Sequence, residues 1–408
     1  MLIPSIDLMG GRAVQLVGGR DKVLEQGDVE ELARRFGVYG EIAVIDLDAA
    51  LGRGDNGELV RRLCRIARCR VGGGIRDERY AAELLRAGAA RLIIGTAAEE
   101  ALLTRLPRDR VLVAVDHDRG HVMSHGWRQD TGESPATRIR RLAPFCGGFL
   151  VTGIHHEGRM EGFAMEEIRE LREAAGQPVT YAGGVTTAAE VAALDRLGVD
   201  AQVGMALYTG RLDPTEAFLA CLDFDKEGGR LPCVVQDIAG RVRMVAWQTP
   251  ESLREAFRTG RGVYFSRRRQ NLWTKGETSG HVQRLVRVGP DCDRDTLLFT
   301  VDQEGPACHT GSAGCFGLLD FATADLEAVL RQRVQNPVNG SYTCRLLRER
   351  GLLAAKLREE VDEVIEAAGR TDDLVWECAD VLYFLLVQMT AGGISFSNVL
   401  SELERRRR

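Results

Sequence analysis

Over residues 1–224 the chain alternates eight short apolar runs with amphipathic stretches, and this alternation constrains its fold more than any other feature. The runs fall at 2–7, 42–47, 69–72, 91–95, 111–116, 148–152, 178–182 and 201–204. Segments between them, such as DVEELARRF and AAEVAALDRLG, have the length and period of crossover helices. Eight strand–helix units in this span predict a closed (β/α)8 TIM barrel. An open doubly wound sheet is the alternative, and it would leave two sheet edges to cover. An internal repeat favours closure: Asp7 ends run one and Asp116 ends run five 109 residues later, Gly73 in VGGGIRD recurs as Gly183 in YAGGVTT after 110, and Gly95 recurs as Gly204 after 109. Two half-barrels of four units are implied.

Barrel sites form at the C-terminal ends of the strands, where Asp7 and Asp116 stand, and strands one and five oppose each other. Two carboxylates placed so can address opposite sides of one substrate. A single Asp there could merely cap the next helix, but the repeat favours a pair. Gly73 and Gly74 with Gly95 and Thr96, and Gly183 and Gly184 with Gly204 and Met205, lie at four strand ends that open helices. Such turns expose backbone N–H groups to phosphate, so two related sets predict a substrate with a phosphate at each end. Tight packing of a turn is the alternative for any one set.

Beyond Leu231 the texture changes. PCVVQD, RVRMVAW, GVYFS and TLLFTVDQ read as short strands of a β-rich α+β domain over 231–317; ATADLEAVLRQRVQ reads as a helix within a linker at 318–341; and 342–404 reads as all helical. Three domains suit 408 residues. No apolar run approaches the 18 residues that a membrane span needs, and the beginning lacks the pattern of a signal peptide, so a cytoplasmic protein is expected. Ten scattered cysteines predict mostly reduced thiols, and a net charge of −5 argues against a nucleic-acid-coating protein. The terminal arginines, Arg405 to Arg408, read as a solvated helix end.

In the central segment Asp291, Asp293 and Asp295 alternate with Cys292, and GPACHTGSAGC follows with Cys308 and Cys315. On an extended strand this spacing would send the carboxylates to one side and Cys292 to the other. Three carboxylates suit Mg2+; three thiolates suit Zn2+ with a fourth position open for water, and His281 or His309 could move protons. A structural zinc ribbon would need four ligands, usually in two Cys-x-x-Cys knuckles, and the segment has none. In the helical region KLREEVDEVIEAA places Glu360 and Glu363 on one face with Glu359 beside them, and WECADVLYFLL places Glu377 and Asp380 at the same spacing. Carboxylates converging from two helices need cations, which predicts Mg2+ and phosphoanhydride cleavage.

With SRRRQNLWTKGETSGH, residues 231–317 resemble phosphoribosyl-AMP cyclohydrolase. The resemblance implies zinc at Cys292, Cys308 and Cys315, with sites that could be shared across a dimer, magnesium at Asp291, Asp293 and Asp295, and substrate phosphate at Arg267, Arg268, Arg269 and Lys275. Residues 342–404 resemble phosphoribosyl-ATP pyrophosphohydrolase. This implies metal at Glu360, Glu363, Glu377 and Asp380 and a phosphate contact at Lys356; Phe384 replaces the His often found in that family. The barrel, through IPSIDLMGGRAV, VIDLDAALG, VGGGIR, LIIGTA and AGGV, resembles phosphoribosylformimino-aminoimidazole carboxamide ribotide isomerase, which performs an Amadori rearrangement. The resemblance implies Asp7 as general base, Asp116 as general acid, Trp127 stacked on the heterocycle and Thr152 at the site. Glu157 stands where that family usually has Asp, and Gly153 and the two histidines after it depart from the pattern.

Together the resemblances imply a trifunctional enzyme of histidine biosynthesis acting on phosphorylated ribonucleotides, a homodimer through the cyclohydrolase or helical domain, with neither nucleic acid nor membrane as partner. A barrel that also isomerises phosphoribosylanthranilate, or one that is an inactive scaffold, are the alternatives.

Overall fold

The computed structural model describes residues 1–17, 21–158, 162–226, 228–317 and 321–406. These form two compact units, one ending at about residue 318 and the other beginning there. In the first unit the eight expected strands are β1 (Leu2–Met9), β2 (Glu41–Asp46), β3 (Arg68–Gly72), β4 (Arg91–Ile94), β5 (Val111–Asp118), β6 (Gly148–Gly153), β7 (Val179–Ala182) and β8 (Val199–Val203). Neighbours pair in parallel all the way round, including β8 with β1 and β5 with β6, so the barrel is closed. This excludes the open sheet. Ile93, Leu112, Leu150 and Ala182 fill its interior, while a larger apolar layer joins strands to helices.

Helix ends follow local chemistry. Asp28, Asp77 and Thr187 each accept a backbone N–H as N-cap, and Glu190 completes a capping box with Thr187. At the N-terminal end of the barrel, Arg70 is buried and donates to Glu41, Thr180 and Asp200 at 2.6, 2.7 and 2.9 Å, so its charge is paired rather than stranded.

The central segment forms a four-stranded sheet from β9 (Leu231–Asp237), β10 (Val242–Gln248), β11 (Gln283–Pro290) and β12 (Leu297–Gln303), in the order β10-β9-β12-β11. Its core is shared with the barrel. Tyr39, Phe218 and Leu219 of the barrel are buried with Val235, Leu253, Val288 and Phe299, and the Val288 N–H donates to the Val38 carbonyl at 2.8 Å. Barrel and sheet are therefore one packed body, not domains joined by a free tether.

The second unit comprises α1 (Thr323–Gln335), α2 (Tyr342–Arg348), α3 (Arg350–Glu366), α4 (Thr371–Ala391) and α5 (Phe396–Arg406) around Leu330, Leu346, Leu353, Phe384 and Leu386. The expected linker at 318–341 needs correction. Leu326 and Leu330, one turn apart on α1, pack into this core, and the Glu327 carboxylate accepts the Phe396 N–H at 2.6 Å. A linking helix would have no such apolar face to bury. Residues 318–320 of that segment, and Arg407 and Arg408 of the terminal run, lie outside the described residues. Contrary to the expectation from sequence, α4 is long and apolar enough by length and composition to cross a membrane. It buries Phe384, Leu386, Val387 and Met389 against the other helices and leaves Val375, Trp376 and Leu385 exposed.

Candidate active sites

A cavity of about 660 Å³ opens at the C-terminal ends of the barrel strands. Asp7, Asp116, Trp127, Thr152 and Glu157 line it, and so do Gly73, Gly74, Gly95, Thr96, Gly183, Gly184, Gly204 and Met205. The barrel residues singled out from sequence thus meet in one place. Asp7 is pushed up to about 6 by burial, against the pull of a 2.9 Å bond from the Ser5 hydroxyl. Ser5 went unnoticed in the sequence, although it stands two residues before Asp7 on the same face of β1. Burial also raises Asp116, opposed by the Trp127 indole N–H, which donates to its carboxylate at 2.8 Å, and by Thr152. Trp127 adopts a left-handed backbone (φ 66°) and is tied to the Asp116 carboxylate by its edge, a contact that stacking alone would not require. Glu157 is pushed up to about 8, first by burial and then by the charges of Asp7 and Asp116.

The glycines at the two repeat-related turns have a packing duty as well. Gly73 and Gly183 have φ of 98° and 106°; a Cβ on Gly73 would overlap the Asp46 carbonyl, and one on Gly183 would lie 2.6 Å from the Gly153 carbonyl oxygen.

In the central sheet the carboxylate oxygens of Asp291, Asp293 and Asp295 lie within 4.8 Å of one another. The expected strand alternation is not what gathers them. β11 ends at Pro290 and β12 begins at Leu297, so the motif is a turn, in which Asp291 Oδ1 accepts the N–H groups of Asp295 and Thr296 at 3.1 and 3.2 Å. Cys292 is not on an opposite face either; its Sγ is 3.9 Å from Asp293 Oδ1. The Lys226 ammonium lies against Asp293, at 2.6 Å, and against Asp295, so a cation already sits among these oxygens and a hard divalent ion suits them.

Cys308 and Cys315 lie together, but among the described residues the three cysteines do not converge in one chain. The Thr310 hydroxyl donates to Cys308 Sγ at 3.2 Å and lowers that thiol's pKa; partial desolvation and the nearby Cys308 raise Cys315. Cys308 is thus inclined to its thiolate and Cys315 to its thiol, and the two sulfurs together offer two ligands for a soft cation. His309 Nδ1 is 3.7 Å from Cys308 Sγ, and His281 packs on Gly305, three residues before Cys308. Lys275 is buried near both thiols, its pKa lowered by desolvation, whereas Arg267 stacks over Trp247 at 4.8 Å and Arg269 pairs with Glu277 at 3.4 Å.

In the helical unit Glu360, Glu363 and Glu377 bring their oxygens within 4.8 Å of one another; Asp380 is not among them. Burial and then the neighbouring Glu360 and Glu377 raise the pKa of Glu363, as uncompensated repulsion should. The Lys356 ammonium contacts Glu359 and Glu360 at 2.8 and 3.0 Å, so it serves the carboxylates here. The donor set fits a hard cation.

Comparison with known proteins gives the same three-part division. Residues 1–213 match the family of the Histidine biosynthesis protein, 244–317 match Phosphoribosyl-AMP cyclohydrolase, and 323–407 match Phosphoribosyl-ATP pyrophosphohydrolase. The Histidine biosynthesis bifunctional protein HisIE of Pyrococcus furiosus is 38% identical over 207 residues, 47% of this chain and 99% of that protein. That of Thermotoga maritima is 39% identical over 192 residues, 43% of this chain and 98% of that protein. The Histidine biosynthesis trifunctional protein of Saccharomyces cerevisiae is 38% identical over 190 residues, 46% of this chain but only 24% of that protein. This chain belongs to the histidine biosynthesis protein family, and it carries a phosphoribosyl-AMP cyclohydrolase domain and a phosphoribosyl-ATP pyrophosphohydrolase domain after its barrel.

Proposed function

We propose that the chain carries out three consecutive reactions: hydrolysis of phosphoribosyl-ATP to phosphoribosyl-AMP and pyrophosphate in the helical unit, hydrolytic opening of the adenine ring in the central sheet, and Amadori isomerisation of the resulting aminoaldose ribotide in the barrel. The observation that carries the reading is the pairing of Asp7 and Asp116 at opposed strand ends over one cavity, below two glycine turns related by the repeat.

Burial gives the two aspartates the properties their roles need. With a pKa near 6, Asp7 is a stronger base than a free carboxylate and is still largely ionised at neutral pH, so it can take the C2′ proton. Asp116, its pKa raised by burial and its carboxylate held by the Trp127 indole N–H, would give a proton to the ribose ring oxygen as the ring opens. Glu157, neutral at pH 7, can donate a hydrogen bond without adding a third negative charge.

Zinc and magnesium, when bound, would supply Lewis acidity and neutralise phosphate charge. Cys308 and Cys315 would hold the first, with Cys292 supplied by a second copy of the chain, a reading supported by the exposure of Cys292 and Cys315 and of Phe316, which follows Cys315. Asp291, Asp293 and Asp295, and separately Glu360, Glu363 and Glu377, would hold the second. His309, next to Cys308, would move a proton at the adenine ring. The protein is proposed to work as a homodimer in the cytoplasm.

The test is to compare wild type with Asp7→Asn on the aminoaldose. Isomerisation should fall by about a thousandfold or more while both hydrolytic steps keep their rates. Equal absence of isomerisation in both proteins would make the barrel a scaffold, and turnover of phosphoribosylanthranilate by the wild type would broaden its substrate range.

A further inference from the structure

The acidic turn of the central sheet is held by the barrel. Arg294, between Asp293 and Asp295, has a left-handed backbone (φ 67°), which sends its side chain out of the turn toward the barrel helix Ala188–Arg196. Its Nε and Nη2 donate to Asp195 Oδ2 and Oδ1 at 2.9 and 2.8 Å, a two-point grip on a carboxylate that is only 7% exposed. Its third nitrogen, Nη1, donates to the Asp291 carbonyl at 2.9 Å and so closes the turn on itself. The Arg294 carbonyl accepts the Asp223 N–H at 2.9 Å from the segment that leaves the barrel. Asp195 also accepts from the Met1 nitrogen at 2.7 Å, which fixes it further.

One guanidinium thus joins the barrel to the backbone of the turn that presents Asp291, Cys292, Asp293 and Asp295. Three carboxylates in a short turn repel one another, an effect that the Lys226 ammonium offsets at Asp293 and Asp295, and a site for a divalent ion works best when its ligands are held before the ion arrives. We propose that Asp195 and Arg294 are positioning residues for the ring-opening site: the barrel preorganises the acidic turn for its cation, so the cyclohydrolase half depends on the isomerase half for its metal affinity. The inference rests on the reading of the aspartate trio as a metal site.

The experiment uses the full chain as wild type, Asp195→Asn and Asp195→Glu. Two quantities are read: amide hydrogen exchange of the peptide covering 288–297, followed without added metal, and the Mg2+ concentration that half-saturates ring opening. In Asp195→Asn the amides of Asp295 and Thr296 should exchange at least about tenfold faster, and the half-saturating Mg2+ should rise about tenfold, with the rate at saturating Mg2+ little changed. Asp195→Glu, which keeps the carboxylate, should restore most of both. Isomerisation reports folding, because its cavity lies at the other end of the barrel from Met1 and Asp195. Unchanged exchange and unchanged Mg2+ dependence in a well-folded Asp195→Asn would overturn the proposal. If that variant also lost isomerisation, Asp195→Glu would decide: a folded protein with an unprotected turn refutes the grip, and a protected one supports it. Ring opening indifferent to Mg2+ in the wild type would sink the metal reading itself, and the exchange measurement would still show whether the barrel holds the turn.

Discussion

Glu157 and Asp7 are carboxyls that the barrel mouth keeps short of water, and their altered acidity has a thermodynamic consequence. A carboxyl whose folded pKa exceeds its unfolded value opposes folding once the unfolded form ionises; for Glu157 the penalty is absent below about 4.5, grows as pH rises, and is complete above about 8. Gln at this position cannot ionise. Asp or Glu here was readable from the sequence as a polar site residue, but the shift was not, because it comes first from burial in the folded barrel mouth and then from Asp7 and Asp116 across the cavity. Differential scanning calorimetry should show Glu157→Gln unfolding with wild type at pH 5 and roughly 5 °C above it at pH 8. A difference that does not change with pH would mean that Glu157 is not buried as a neutral acid.

Secondary structure explains which motifs were legible. Glu360 and Glu363, three apart on α3, needed only the helical period to be placed together, and Glu377 joins them from α4 because the two helices pack antiparallel across the turn at 367–370. Asp380 satisfied the same spacing and still fell outside the group, since spacing fixes a face but not the depth at which a side chain meets its neighbour. The acidic turn departs from the period-two expectation for a related reason: the strand ends at Pro290, before the motif begins. The three cysteines span a turn and a later loop, and no periodicity links such elements. At this scale Glu363→Gln, which removes one charge from the cluster, should reduce pyrophosphate release from phosphoribosyl-ATP by about a hundredfold at fixed Mg2+ and leave ring opening intact. Unimpaired release would remove the glutamate cluster from the chemistry.

Across the whole molecule, the eightfold alternation and the 109-residue repeat made the barrel, its closure and its mouth legible, because a barrel repeats one local rule. What lay beyond the sequence is how the parts join. Tyr39 and Phe218 read as barrel residues, yet they complete the core of the central sheet, and α1 read as a connector, yet it belongs to the helical unit. Those contacts link residues far apart in sequence and leave no local pattern. The central claim is that one chain performs three successive reactions. The most direct measurement is to give phosphoribosyl-ATP to the purified protein with Mg2+ and Zn2+ and to identify each product over time by mass spectrometry. Phosphoribosyl-AMP, the ring-opened aldose and then the ketose should appear in that order, with pyrophosphate equal to the substrate consumed. Accumulation of the aldose without ketose, or no pyrophosphate release at all, would contradict it.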